Sequence, residues 1–173
     1  NRGKRSVTLN LYNPGSREVI HKLVERADVL TENFRPGFLD RLGYGYDDLR
    51  AINPRLIYAT NSGFGAYGSW RDRGSFDVVA QGMSGAMVAQ GGGPENVPMN
   101  CPWGLADQVG SMTFAYGIMG AIVARERFGV GQKVDVSQLG AMVTLQALSV
   151  QAFLHTGQQG TRPAGKPLNP IFA

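Results

Sequence analysis

Asp107 is the residue whose type and setting could best carry covalent chemistry. It immediately precedes an uncharged stretch, Gln108 to Ala124, that reads as a helix, so its carboxylate falls at a helix N-terminus in apolar company. Two readings stand side by side. An Asp at that point is a common N-cap, its oxygen accepting an orphan backbone N–H. It can also be a nucleophile, because the helix dipole favours the ionised form while burial opposes it, leaving a poorly solvated carboxylate that attacks an electrophile without a general base. Arg35, Arg41, Arg71 and Arg73 fall on or near loops after strand-like runs, where open α/β sheets bind ligands. Solvated surface charge is the default account of any one of them.

Other motifs carry less. Gly63, Gly65 and Gly68 match the spacing of a dinucleotide-binding turn, but Ser69 to Gly74 does not read as the first helical turn that fingerprint needs. Gly91–Gly93 lacks the Lys-Ser/Thr of a phosphate loop. His21 and His155 are far apart, so no metal site follows, and Cys101, beside Pro102, has no local His to activate it.

The elements that must position these residues follow from hydrophobic periodicity. Ser6–Leu11 alternates like a strand, Pro14 to Ser16 is a turn and helix cap, and Val19, Ile20, Leu23 and Val24 repeat at helical spacing up to Arg26. Asp28–Thr31 reads as a strand, Asn33–Gly37 as a loop, and short helices run through Leu42 and from Tyr46 to Ile52. Leu56–Thr60 is a buried type of strand. Phe76–Gln90 reads as a helix, Gly91–Pro102 as a loop, and Gln108–Ala124 as a long buried helix. In that helix Gly110, Gly117 and Gly120, each costing about 1 kcal/mol against Ala, call for close packing on another backbone. Gln132–Ser137 is a further strand and Leu139–Leu154 a further helix. Strands alternating with helices imply an α/β fold with a parallel sheet.

The chain has 173 residues, 43% of them apolar and 17% charged, enough to bury a core and far from the composition of a disordered segment. The best stretch for a membrane span, Val136 to Leu154, is interrupted by Ser137, Gln138, Thr144, Gln146, Ser149 and Gln151, which argues against one. A single cysteine allows no internal disulfide and fits a reducing cytoplasm. The chain opens without a Met and stops abruptly at Ala173, so both ends read as cut. Of the 17 basic residues, 12 precede Gly74, and none lies between Gly74 and Ala124. A nucleic-acid face would interleave basic and aromatic residues broadly, whereas here the basic residues give way to an apolar stretch. The net charge of +4 therefore suits a compact polyphosphate ligand.

Several runs are specific enough to resemble a known family: Asn1–Val7, Ala27–Gly37, Leu42–Tyr58, Ser62–Gly65, Ala106–Asp107 and Gly129–Val136. They resemble the class III CoA-transferases, the group of formyl-CoA transferase and carnitine CoA-transferase. The resemblance implies a large Rossmann-like domain, partial here over 1–155, with 156–173 beginning a linker toward a small domain. It implies also that the first strand and helix and the whole C-terminal part are absent, and that two complete subunits interlock as a homodimer. By resemblance Asp107 is the nucleophile, attacking an acyl-CoA to form a mixed anhydride and then an aspartyl-CoA thioester that a carboxylic acid reverses. Asn33, Phe34 and Arg41 match positions that line the CoA nucleotide, Arg71 and Arg73 belong to a loop that approaches its phosphates, and Phe76 and Asp77 border the substrate. Coenzyme A enters as substrate, with no metal, nucleic acid or membrane as partner.

The chain departs from its relatives at two places. Racemases of 2-methylacyl-CoA esters carry a His where Phe76 stands, and Phe cannot move a proton, which favours the transferase branch. Tyr12 stands where some transferases have a Lys near CoA. The alternatives are a racemase on the same fold and a catalytically incomplete CoA-binding fragment.

Overall fold

The computed structural model describes residues 2–158. Helix α1 (Gly15–Val24) leads into β1 (Val29–Glu32), the short helices α2 (Phe38–Arg41) and α3 (Tyr46–Ile52), and β2 (Ile57–Ser62). Then come α4 (Asp77–Met83), α5 (Ala86–Gly91), the long α6 (Leu105–Phe128), β3 (Lys133–Ser137), α7 (Gln138–Leu145) and α8 (Ala147–Thr156). The three strands form a parallel sheet in the order β1-β2-β3, with Val29 opposite Ile57 and Tyr58 opposite Lys133. This is the α/β architecture that the alternation of strands and helices predicts. The linker expected over 156–173 falls, beyond residue 158, outside the described residues.

A core forms where α1, α2 and α3 cover β1 and β2: Val24, Leu39, Tyr44, Leu49, Leu56 and Tyr58 are buried together. Asn53 locks this layer, its amide donating to the carbonyls of Val24 and Ala27 at 2.9 and 3.0 Å. A second, smaller cluster of Ala80, Ala106 and Met142 joins α4, α6 and α7. That junction holds the start of α6 in place.

Four expectations are corrected. Ser6–Leu11 is not a strand; no strand pairs with it among the described residues, and Val7 is 67% exposed. Alternation alone cannot make a strand without a partner to satisfy its N–H and C=O groups. The helices expected over Phe76–Gln90 and Leu139–Leu154 are each broken in two. Gly85 takes a left-handed φ of 80° between α4 and α5, and Gln146 leaves helical geometry between α7 and α8. The breaks are tied together, since the Gln146 amide donates to the carbonyls of Ser84 and Met142 at 3.2 and 3.0 Å.

The fourth correction concerns α6, which packs on β2 and β3 yet leaves Met112, Tyr116, Met119 and Val123 exposed. An uncharged helix predicts burial all round, whereas the described residues cover one face. Close packing holds for two of its three glycines. A Cβ on Gly110 would meet Gln138 and Asn61, and one on Gly117 would come within 2.8 Å of Val134, but one on Gly120 would meet nothing. Gly120→Ala is therefore expected to stabilise the protein by about 0.5–1 kcal/mol through helix propensity alone, read as a rise in the urea midpoint. A fall would mean that another backbone packs against Gly120. No helix among the described residues is long and apolar enough to cross a membrane.

Candidate active site

All three strands deliver their C-terminal ends to one cleft of about 460 Å³. The loop after β1 supplies Asn33, Phe34 and Arg35, the end of β2 supplies Asn61 and Ser62, and the segment before α4 supplies Arg73, Ser75 and Phe76. Asp107 and Ser111 enter from α6, and Gln138 from α7. Convergence at the carboxyl edge is where open α/β sheets bind ligands.

Asp107 does not cap its helix. The N-cap is Gly104, at φ 70°, and Asp107 is the third residue of α6. The capping carboxylate comes from α4: Asp77 Oδ1 accepts the N–H groups of Ala106 and Asp107 at 2.7 and 3.1 Å. The Asp107 side chain is thus free to face the cleft, where it is exposed and accepts a hydrogen bond from the Gln138 amide. The apolar enclosure that the flanking sequence suggested is not formed by the described residues. Gln138 is set by local chemistry, because Ser137 ends β3 and its hydroxyl caps α7 by accepting the Gly140 N–H at 3.0 Å.

Two arginines border the cleft. Arg73 stacks over the Trp70 ring at 4.7 Å, and Trp70 meets Phe64 edge-on at 5.5 Å, so a cation–π contact holds the guanidinium. Arg35 reaches toward Gly74, with an Nη 3.8 Å from where a Cβ would sit. Phe34 leans on Phe38, and Phe38 meets Tyr12, which continues an aromatic row away from the cleft. Asn61 Oδ1 is buried on the cleft wall with no hydrogen-bond partner among the described residues.

Of the residues singled out from sequence, Asn33, Phe34, Arg35, Arg73, Phe76 and Asp107 line the cleft. Arg41, Arg71 and Asp77 do not. Arg41 belongs to α2 and lies against Gly37, Arg71 pairs with its neighbour Asp72 at 3.4 Å on the surface, and Asp77 is turned into the α6 cap. Sequence reasoning missed Gln138, Ser111, Asn61 and Ser75. Gln138 was within reach, since it opens a helix directly after a strand, at the strand end where ligands bind. The glycine-rich turn at Gly63–Gly68 opens no helix, and the next begins at Asp77. Among the described residues no group of His, Cys, Asp and Glu could hold a metal ion.

Behind the cleft, Glu32 Oε2 accepts the Phe34 N–H at 2.8 Å and fixes the turn that carries Asn33 and Phe34. Burial pushes the Glu32 carboxyl above its ordinary value of 4.5. The folded state therefore holds this proton where the unfolded chain has released it, and stability falls as pH rises from about 4.5 through the folded pKa. Glu32→Gln keeps the acceptor and removes the charge. It is expected to match the wild type at pH 4 and to be more stable at pH 7.5, as thermal melts at the two pH values would read. Equal melting at pH 7.5 would mean that Glu32 ionises there without cost.

The sequence profile of CoA-transferase family III matches residues 1–171. The chain belongs to that family. Among family III relatives, the acetyl-CoA:oxalate CoA-transferase of Acetobacter aceti is 42% identical over 163 residues, covering 94% of this chain and 42% of its own length. The succinyl-CoA:mesaconate CoA-transferase of Haloarcula marismortui is 40% identical over 168 residues, with the same two coverages. The crystal structure of a CAIB/BAIF family protein from Brucella suis superposes with a TM-score of 0.87 at 36% identity, covering 94% of this chain and 43% of that one. This family III chain thus spans less than half the length of the proteins it matches.

Proposed function

We propose that the protein moves CoA from an acyl-CoA thioester to a carboxylic acid, with Asp107 as the nucleophile. The observation that carries this reading is the Asp107 carboxylate, released from helix capping by Asp77 and facing a cleft bordered by Arg35 and Arg73. A carboxylate oxygen of Asp107 attacks the thioester carbonyl, the C–S bond breaks, and CoA thiolate leaves a mixed anhydride. The thiolate attacks the aspartyl carbonyl, releases the donor as its carboxylate and leaves an aspartyl-CoA thioester. The acceptor carboxylate then attacks that thioester and expels the thiolate, which closes the cycle on the acceptor's acyl carbon and regenerates Asp107. No proton and no water enter the balance, and covalent catalysis divides one difficult exchange into easier steps.

The cleft's polar groups suit such a ligand. Arg35 and Arg73 supply charge for phosphate, to which guanidinium binds in a bidentate manner. Asn33 and Phe34 supply an amide and a ring beside them. Phe76, at the mouth, has no exchangeable proton, which supports transfer over racemisation. The apolar stripe Met112, Tyr116, Met119 and Val123 supports assembly of the complete protein as an interlocked homodimer. Its cysteine usage fits the cytoplasm.

The test is intact mass of the full chain after incubation with a panel of acyl-CoA esters and trapping with hydroxylamine or borohydride. An adduct or its reduction product at Asp107 supports transfer and names the acyl groups that enter. CoA binding without an adduct from any ester would overturn the reading in favour of a binding protein, and α-proton exchange without an acceptor acid would overturn it in favour of an isomerase.

A further inference from the structure

A connected polar network lies behind the cleft rather than in it. Asp77 Oδ1 takes the N–H groups of Ala106 and Asp107, and Oδ2 takes the Gln81 amide N–H at 2.7 Å. Gln81 is 1% exposed, and its amide also donates to the Cys101 carbonyl at 3.0 Å and accepts the Cys101 N–H at 2.8 Å. Both oxygens of Asp77 are therefore fixed, and the loop entering α6 is clamped to α4. The chain reaches α6 through Trp103 and Gly104, both with positive φ. Such a bend costs about 1–3 kcal/mol at a residue with a side chain and persists where the surroundings hold it.

The two carboxylates flank Gly104. Asp77 Oδ1 and Asp107 Oδ2 each lie 3.8 Å from the point where a Cβ on Gly104 would sit. The charged groups facing Asp107 are Arg35 and Arg73 across the cleft and Asp77 behind it; α7 brings the neutral Gln138, and α6 has no other charge before Arg125.

We propose that Asp77 is a positioning residue for the nucleophile: by occupying the first free N–H groups of α6 with a fixed negative charge, it aims Asp107 into the cleft and keeps it reactive. The inference rests on the transferase reading above and deepens it. An uncapped helix start would carry roughly half a positive charge and hold Asp107 as a stabilised, weakly nucleophilic anion. Asp77 offsets that charge. When Asp107 is acylated it becomes neutral, and a second carboxylate nearby favours the loss of that charge. The consequence is specific to charge, whereas a purely structural cap would act through geometry alone.

The experiment measures the rate of adduct formation at Asp107 and, separately, CoA affinity in the full chain, for the wild type, Asp77→Asn and Asp77→Glu. Asp77→Asn is expected to slow capture roughly tenfold with CoA affinity unchanged. Asp77→Glu, which keeps the charge on a longer arm, is expected to retain more of the rate than Asp77→Asn, and it carries the test if Asp77→Asn fails to fold, slower capture at unchanged CoA affinity being the expected result. An Asp77→Asn rate equal to that of the wild type would overturn the proposal, as would a folded Asp77→Asn that captures as fast as Asp77→Glu. An absence of adduct in the wild type would overturn the transferase reading and this inference with it, whereas a reactive wild type with insensitive variants would overturn this inference alone.

Discussion

Replacing Asp107 by Ala in the full chain is expected to abolish the trapped adduct and to lower CoA transfer at least about a thousandfold, while the folded state loses no more than about 0.5 kcal/mol. The pairing of those outcomes is the point. If Asp107 were the cap of α6, its loss would cost about 0.5–2 kcal/mol of stability. The cap is Asp77, which holds the Ala106 and Asp107 N–H groups from α4, and an Ala at 107 keeps both donors. What disappears is the carboxylate that meets Gln138 at the cleft wall. Ser111 follows on the same side of α6, but its neutral hydroxyl has no neighbouring base with which to replace a carboxylate. Measured together, transfer kinetics and denaturant unfolding separate the two roles. Retained transfer would remove Asp107 from the mechanism, and a large loss of stability would return it to the cap.

Gly131→Ala is expected to destabilise the protein by about 3 kcal/mol, the upper end for an overpacked site. Gly131 precedes β3, and its N–H donates to the Pro54 carbonyl at 2.8 Å, bringing the chain alongside β2. A Cβ there would overlap the Leu56 carbonyl oxygen and lie 2.6 and 2.7 Å from the carbonyl carbons of Arg55 and Leu56. These are backbone atoms of the sheet, unlike a side chain that can swing away. The strain would part β3 from β2 at its first residues, where Tyr58 N–H donates to the Gln132 carbonyl at 3.0 Å. A lowered urea midpoint with an unchanged slope is the expected signature. A variant within about 0.5 kcal/mol of the wild type would mean that the strands stand farther apart than described.

Local pattern made several elements legible. The helix from Tyr46 to Ile52 and the strand ending at Ser137 lie where periodicity and turn residues put them, because both are short and locally marked: Gly45 and Asn53 flank the helix, and Gly131 stands just ahead of the strand. Elements that depend on distant partners were not legible. Ser6–Leu11 alternates correctly but has no strand beside it, and no window of sequence reports that. The interruptions at Gly85 and Gln146 come from packing across the molecule, where Gln146 bonds to Ser84, so a continuous apolar pattern concealed them. Within the site, Asp107 and Arg73 stood out by type and setting. Gln138 and Asn61 did not, since neutral amides carry no charge signal and acquire meaning through the strand ends that carry them. Asp77 was visible as a residue near the substrate, but its bond to the start of α6, 29 positions away, is a tertiary fact.

The tryptophans give the fold an unplanned optical property. The chain has two: Trp70 lies beneath the Arg73 guanidinium, and Trp103, 89% exposed, stands at the bend that launches α6. Neither belongs to the buried clusters. Indole emission from this protein therefore comes from one ring beneath a cleft-lining arginine and one exposed ring four residues ahead of Asp107. A ligand that draws Arg73 off the Trp70 ring is expected to change that emission, without labels, in the same cuvette as turnover.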